Sequence, residues 1–260
     1  MSNMKAFTLV ELLVVMAIIS LLIGIIAPSL NAAKDLARAT YCQSTLNALN
    51  KSALVYAESN RGYLMVYEHK IVNNCVTAPD NTYKSYVCFK RSAPDPATAL
   101  FSDARGLGLV YAQGILDKPE LFYCPSQQDR RSQLNFYPKP WGTAIPPESD
   151  SDFIRNSYMW NPWVEPIPDD PAGRFTYEDR LVLERHKNDR FLTSDLLDRK
   201  MTMSHIEGNK AKWNMGYVDG HVAAFEGKTL YNLFTVTGLD TANDWNMFNQ
   251  GVRPELPGSR

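Results

Sequence analysis

The sequence predicts an α+β protein in which a long N-terminal helix lies on an antiparallel sheet. Three observations carry this. An apolar run from Phe7 to Ala27 contains one charged residue. Apolar and small residues then recur in steps of three and four from Ala32 to Tyr56, the period of one helix face. From Tyr63 onward, short β-branched and aromatic segments alternate with Pro, Asn, Asp and Gly, the punctuation of strands and turns. A chain of 260 residues allows one or two domains. Its 45% hydrophobic and 21% charged residues are those of an ordinary globular protein. A net charge of -1 gives no electrostatic reason to expect a nucleic-acid partner.

As a helix, Phe7 to Ala27 would be about 30 Å long, enough to cross a bilayer core. A secretory signal peptide would have a shorter apolar core followed by a small-residue cleavage site, and neither is present. The single charge is Glu11. A carboxylate in hydrocarbon costs on the order of 2.5–3.5 kcal/mol, so it either reaches the interface or has a partner. Pro28 lacks an amide hydrogen and disfavours helix at Ala27, which predicts a kink with the helix resuming at Ser29. The next stretch, 31–59, places Ala32, Leu36, Ala39, Cys42, Leu46, Leu49, Ala53 and Tyr56 on one face. Lys34, Asp35, Arg38, Asn47 and Lys51 fall on the other. The upper helix is therefore expected to be half buried, ending at Asn60-Arg61-Gly62.

Tyr63 to Tyr67 reads as a strand, 69–96 as a polar loop, and Pro96 as the first turn of a helix through Leu100, Leu107 and Tyr111. Gly106 and Gly108 weaken that helix. Leu121 to Cys124 predicts a short strand ending at Pro125, and 125–152 a surface loop. Ser157 to Asn161 and Arg190 to Ser194 are further strands. The clearest hairpin is Met215 to Phe225, where Asp219-Gly220 matches the favoured two-residue turn. With that turn, Met215 and Tyr217 share a face with Val222 and Ala224. Thr229 to Phe234 suggests a small helix.

Around the apolar run, the segment Lys5-Ala6-Phe7-Thr8-Leu9-Val10-Glu11 resembles the processing site of type IV prepilins and type II secretion pseudopilins. The resemblance covers about the first sixty residues. It implies a pilin-like fold and a leader, residues 1–6, removed by a prepilin peptidase between Ala6 and Phe7, with methylation of the new amine. It also implies a helix over 7–60, membrane-spanning over 7–27, and a head over 61–260 on the extracytoplasmic side of the cytoplasmic (inner) membrane. Ala6 stands where the family usually has Gly. Glu11 matches the family's glutamate, and Pro28 its helix-bending proline. A carboxylate and a free amine in hydrocarbon would neutralise each other if the Phe7 amine of one subunit met Glu11 of the next. The implied partners are other pilin or pseudopilin subunits, in a pilus or a secretion pseudopilus.

The head also resembles a large pseudopilin-like family, at Cys124-Pro125-Ser126, Ser157-Tyr158, Ser194-Asp195, His205 and Asp219-Gly220-His221-Val222. That family usually has nine residues between the histidine and Asp-Gly, and here thirteen lie between His205 and Asp219.

No glycine-rich phosphate loop, H-E-x-x-H, nucleophile elbow or paired C-x-x-C is present, which argues against an enzyme. No cofactor is expected. Asp195, His205, Asp219 and His221 are the residues whose types suit a divalent metal. Alternatively, Asp219 only shapes its turn, His221 faces solvent and His205 caps a loop. His69 and His186 read as surface residues. The four cysteines, Cys42, Cys75, Cys88 and Cys124, allow three connectivities in an exported head. The expected one is Cys42 with Cys124, stapling helix to sheet, and Cys75 with Cys88, closing a short loop. Plain apolar packing is the alternative for Cys42 and Cys124. Two functions follow: a filament subunit polymerised through the N-terminal helix, or a membrane-anchored head that binds a ligand or metal and uses the leader only for delivery.

Overall fold

The computed structural model describes residues 8–65, 70–72, 75–77, 86–90, 103–137, 141, 153–160, 182–185, 191–196, 204–207 and 210–227. Two compact units divide the chain, one ending at Thr40 and the other beginning at Tyr41. The fold is α+β.

Helix α1 spans Leu9–Ser59. Helix is continuous through Ala27 and Pro28, where resumption at Ser29 was expected. Proline there removes the donor that the Gly24 carbonyl would otherwise receive. Next to it, the Ser29 hydroxyl donates to the Ile26 carbonyl at 2.8 Å. The buried stripe of α1 begins at Cys42, not at Ala32, and Leu36 is exposed. From Cys42 it runs through Leu46, Leu49, Ala53 and Tyr56. The helix ends where Arg61 (φ 59°) and Gly62 (φ 83°) turn left-handed and the Gly62 amide donates to the Ala57 carbonyl.

The head holds ten strands among its described residues. In the main sheet the order is β10 (Val222–Gly227), β9 (Lys210–Tyr217), β7 (Phe191–Asp195), β6 (Tyr158–Trp160). Strand β8 (His205–Glu207) pairs with the first half of β9, and β7 with the second half. All these pairings are antiparallel. A smaller sheet orders β4 (Asp103–Ala104), β3 (Val87–Lys90) and β5 (Phe153–Arg155). Strands β1 (Lys70–Val72) and β2 (Cys75–Thr77) form a separate pair, in a stretch the sequence reads as loop.

Three sequence readings change. Among the described residues of the strand expected over Tyr63 to Tyr67, Tyr63 makes an isolated bridge to Val182 and Leu64 and Met65 are in no strand; Val66 and Tyr67 lie outside the described residues. The helix expected after Pro96 is reduced, among the described residues, to α2 (Gly108–Ala112). Leu121 and Phe122 lie in a 3₁₀ turn, Pro119–Phe122, rather than a strand. Pro119 sits in its first turn, where a fixed φ and a missing donor suit helical geometry. The helix expected at 229–234 lies outside the described residues.

The hairpin forms with a different register from the expected one. The Tyr217 amide donates to the His221 carbonyl, and the Gly220 amide to the Tyr217 carbonyl, so Val218, Asp219 and Gly220 make a three-residue turn. Gly220 takes φ 90°, which a three-residue loop requires at its last position. The extra residue slips the pairing by one. Met215 therefore faces Ala223, and Trp213 faces Phe225, instead of Val222 and Ala224 sharing their face.

Helix α1 meets the sheet at Gly216. Asn50, fully buried, donates from Nδ2 to the Tyr217 carbonyl at 2.8 Å and accepts from Thr193 Oγ1 at 2.9 Å. Thr193 and Gly216 are partners across β7 and β9, so both lie under the same point of the helix. A Cβ on Gly216 would stand 2.5 Å from Thr193 Oγ1 and 2.6 Å from Asn50 Cγ. Gly216→Ala should therefore destabilise the head by about 1–3 kcal/mol through overpacking. Thermal unfolding of the full chain in detergent measures this; a variant that melts with the wild type would place α1 further from the sheet.

Candidate functional site

At the start of α1 the chain closes a reciprocal cap. The Thr8 amide and hydroxyl donate to Glu11 Oε2 at 2.9 and 2.8 Å, and the Glu11 amide donates to Thr8 Oγ1 at 3.3 Å. This is the Thr-x-x-Glu capping box, which satisfies helix-end donors with side chains. Its sequence signal is Thr8 followed three residues later by Glu11 at the head of an apolar run. Ala6 and Phe7 lie outside the described residues.

The helix beyond this cap is long and apolar enough to cross a membrane. Leu9, Leu13, Met16, Leu21, Ile25 and Leu30 are all exposed. Its hydroxyls are satisfied within the helix: Ser20 donates to the Met16 carbonyl at 2.8 Å, and Thr40 to the Leu36 carbonyl at 2.9 Å. Such local bonding suits a helix that has no water to turn to.

In the head, Cys42 of α1 and Cys124 are joined as a disulfide with Cα atoms 5.5 Å apart, across 82 residues of sequence. Cys124 follows the 3₁₀ turn that Pro119 begins. Its carbonyl accepts from the Gln127 amide, and Gln127 Nε2 donates to Ser204 Oγ at 3.3 Å. That link brings the neighbouring residue His205 beside the bridge, with Nε2 3.5 Å from Cys124 Sγ. Burial, and then the nearby Lys212 ammonium, hold the His205 imidazole below its ordinary range. Neither Gln127 nor Ser204 carried a sequence signal for this role.

Cys88 is a free, fully buried thiol, so the expected bridge to Cys75 is not formed. Strand β3 turns Cys88 into the core, where Asn156 Nδ2 donates to its sulfur at 2.8 Å. Burial pushes this thiol up to about 12. The Cys75 side chain lies outside the described residues.

The metal set suggested by residue type is not assembled. Asp219 and His221 sit at the hairpin tip. Asp219 Oδ1 accepts from the His221 amide at 3.0 Å and meets His221 Nδ1 at 2.5 Å, while the His221 ring stacks on Tyr217. Asp219 thus shapes its own turn, as Asx residues do. His205 pairs opposite Lys212, five residues down β9 from Tyr217, which is about 17 Å along a strand. Among the described residues, the one grouping of three metal-capable side chains is Cys42, Cys124 and His205, whose ligand atoms lie within 4.8 Å of one another.

Asp195 lies at the end of β7, opposite Tyr158 of β6, and is buried. Its Oδ2 accepts from the Asn214 amide at 2.8 Å and from Asn214 Nδ2 at 2.9 Å, while Oδ1 has no partner. Burial raises this carboxyl to about 7, against the two Asn214 bonds that lower it.

A long apolar N-terminal helix followed by antiparallel sheets is an α+β arrangement consistent with a pilin-like fold. Residues 1–27 match the model of the prokaryotic N-terminal methylation motif. The chain is also similar to the type IV wide pilus major component PilA4 of Thermus thermophilus, 41% identical over 63 residues. That stretch is 24% of this chain, and it spans about half of the relative, 48%. No solved structure matches the chain.

The Asp195 carboxyl generates a pH dependence. Its folded value lies above its unfolded value, so the native state holds the proton more tightly. The contribution of this group to stability is full below about pH 4, falls as pH rises towards 7, and is constant above. A rise from 3.8 to about 7 corresponds to a loss of about 4 kcal/mol across that window. The melting temperature should therefore fall from pH 5 to pH 8 by several degrees more in the wild type than in Asp195→Asn. Parallel pH profiles for the two would remove Asp195 as the cause.

Proposed function

We propose that this chain is a structural subunit of a type IV pilus-like or type II secretion pseudopilus filament. One observation carries the reading: a prepilin-type methylation motif runs directly into an exposed apolar helix. An apolar helix of this length is stable only in lipid or against other helices. In this reading a prepilin peptidase cuts between Ala6 and Phe7 on the cytoplasmic side of the inner membrane, and the new amine is methylated. The protein waits there as a single-pass subunit with its head outside. Subunits then pack helix to helix, and the Phe7 amine of one chain takes Glu11 of a neighbour. The Cys42–Cys124 bridge is consistent with an oxidising compartment for the head. No catalytic role is assigned.

Among the described residues, Glu11 is held by Thr8, at the exposed end of α1. Exchanging that cap for a neighbour's ammonium pairs the carboxylate with a full opposite charge, an attraction that grows where water is excluded. Glu11→Ala should leave cleavage intact and cut incorporation into sheared surface filaments severalfold. Mass spectrometry of the sheared fraction should give a chain that starts at a methylated Phe7. Filaments carrying an intact Met1, or equal incorporation of Glu11→Ala, would overturn the assignment.

A further inference from the structure

We propose that the head carries a metal site built from Cys42 Sγ, Cys124 Sγ and His205 Nε2, selective for a thiophilic divalent cation of the zinc class. The site and the Cys42–Cys124 disulfide are alternative states of the same two sulfurs. This goes beyond the filament reading and does not depend on it.

The geometry carries the proposal. Bond lengths of about 2.3 Å to sulfur and 2.0 Å to nitrogen put tetrahedral S and N ligands about 3.6 Å apart. Cys124 Sγ and His205 Nε2 already stand 3.5 Å apart. Two tetrahedral sulfurs lie about 3.7 Å apart by the same reckoning. The Cys42 and Cys124 Cα atoms, at 5.5 Å, permit that separation as well as a disulfide, because only the side-chain torsions must change.

Three elements hold the ligands independently of the bond between the sulfurs. Cys42 projects from the first buried turn of α1. Cys124 is set by the 3₁₀ turn at Pro119 and by the Gln127 amide on its carbonyl. His205 opens β8, anchored opposite Lys212 of β9, and Gln127 to Ser204 ties the last two together. Charge favours the ion too. Two buried thiolates are costly alone, and a divalent cation between them makes a neutral centre. Softness selects the metal: two thiolates and an imidazole suit zinc, whereas magnesium and calcium take oxygen ligands. The three protein ligands leave a fourth position for water, in keeping with the partial exposure of His205.

The electron count is simple. When both residues are thiols, the cation displaces two protons and binds two thiolates. When a disulfide-carrying oxidant takes two electrons from those thiolates, the S–S bond forms and the cation leaves. A phosphine reverses this: the disulfide becomes two thiols, and water supplies the oxygen of the phosphine oxide.

The test uses the full chain in detergent. The disulfide is reduced with a phosphine, the phosphine is removed without air, and cobalt(II) is titrated in. One equivalent should produce a thiolate-to-cobalt charge-transfer band and tetrahedral visible bands, and zinc should displace both. The oxidised chain should show neither. Zinc should also raise the melting temperature of the reduced wild type, because it binds only the folded site. His205→Ala keeps both sulfurs, and its oxidised form shows by its melting whether the head still folds. If it does not, His205→Gln takes its place. The variant should bind cobalt at least about tenfold more weakly, since even outer-shell partners of metal ligands command that much. Cys88→Ala should bind as the wild type does. A reduced wild type with no cobalt band and no zinc-dependent rise in melting temperature overturns the proposal. So does cobalt affinity that is unchanged in a folded His205 variant, or lost in Cys88→Ala.

Discussion

The head depends on how closely α1 approaches the sheet at Gly216. Only a residue without a side chain lets Asn50 sit against β9, where it bonds both the Tyr217 carbonyl and Thr193 Oγ1. A buried amide left without partners would cost about 1–3 kcal/mol, so this contact sets where along the sheet the helix stops. Apolar burial by Leu46, Leu49 and Ala53 supplies attraction without direction. The polar bonds supply the direction. Along β9 the same interface holds Asp195 on Asn214, and the Cys42–Cys124 bridge closes it beside His205.

One helix meets two environments with two kinds of surface. Up to Leu30 its side chains are almost all apolar and exposed, and its hydroxyls bond their own carbonyls. From Cys42 its inner stripe is buried and carries polar and sulfur groups: Cys42, bonded to Cys124, Thr45, and Asn50, which bonds the sheet. A uniform apolar stripe would have served packing in either setting. The polar positions in the head half specify one register, a task that buried polar groups perform at some expense of stability.

Asp195 shows what a buried carboxyl costs when it is half satisfied. Two bonds from Asn214 fix one oxygen, and the other has no partner, so the protonated acid is the more stable form over much of the pH range. The helix contact at Gly216, the half-satisfied carboxyl on Asn214 and the strand that pairs with His205 thus all lie along β9.

Much of this was legible in the sequence, for local reasons. The apolar run and the three-four spacing of α1, the strands at 158–160 and 191–195, and the existence of the final hairpin all follow from periodicity and turn residues near one another in the chain. The Thr8–Glu11 cap was equally local. What the sequence could not decide were contacts between distant residues and choices worth little energy locally. The hairpin turn took three residues instead of two, and period-two geometry then moved every cross-strand partner. Pro28 stayed inside a helix that continues on both sides of it, a local penalty outweighed by the length of α1. Asp219 and His221 stood at the hairpin tip, most of the length of β9 away from His205, while His205 came beside two cysteines 82 residues apart. Cys88 kept its thiol because its strand faced the core. Local propensity determined which elements form; only packing of α1 against the sheet decided which side chains meet.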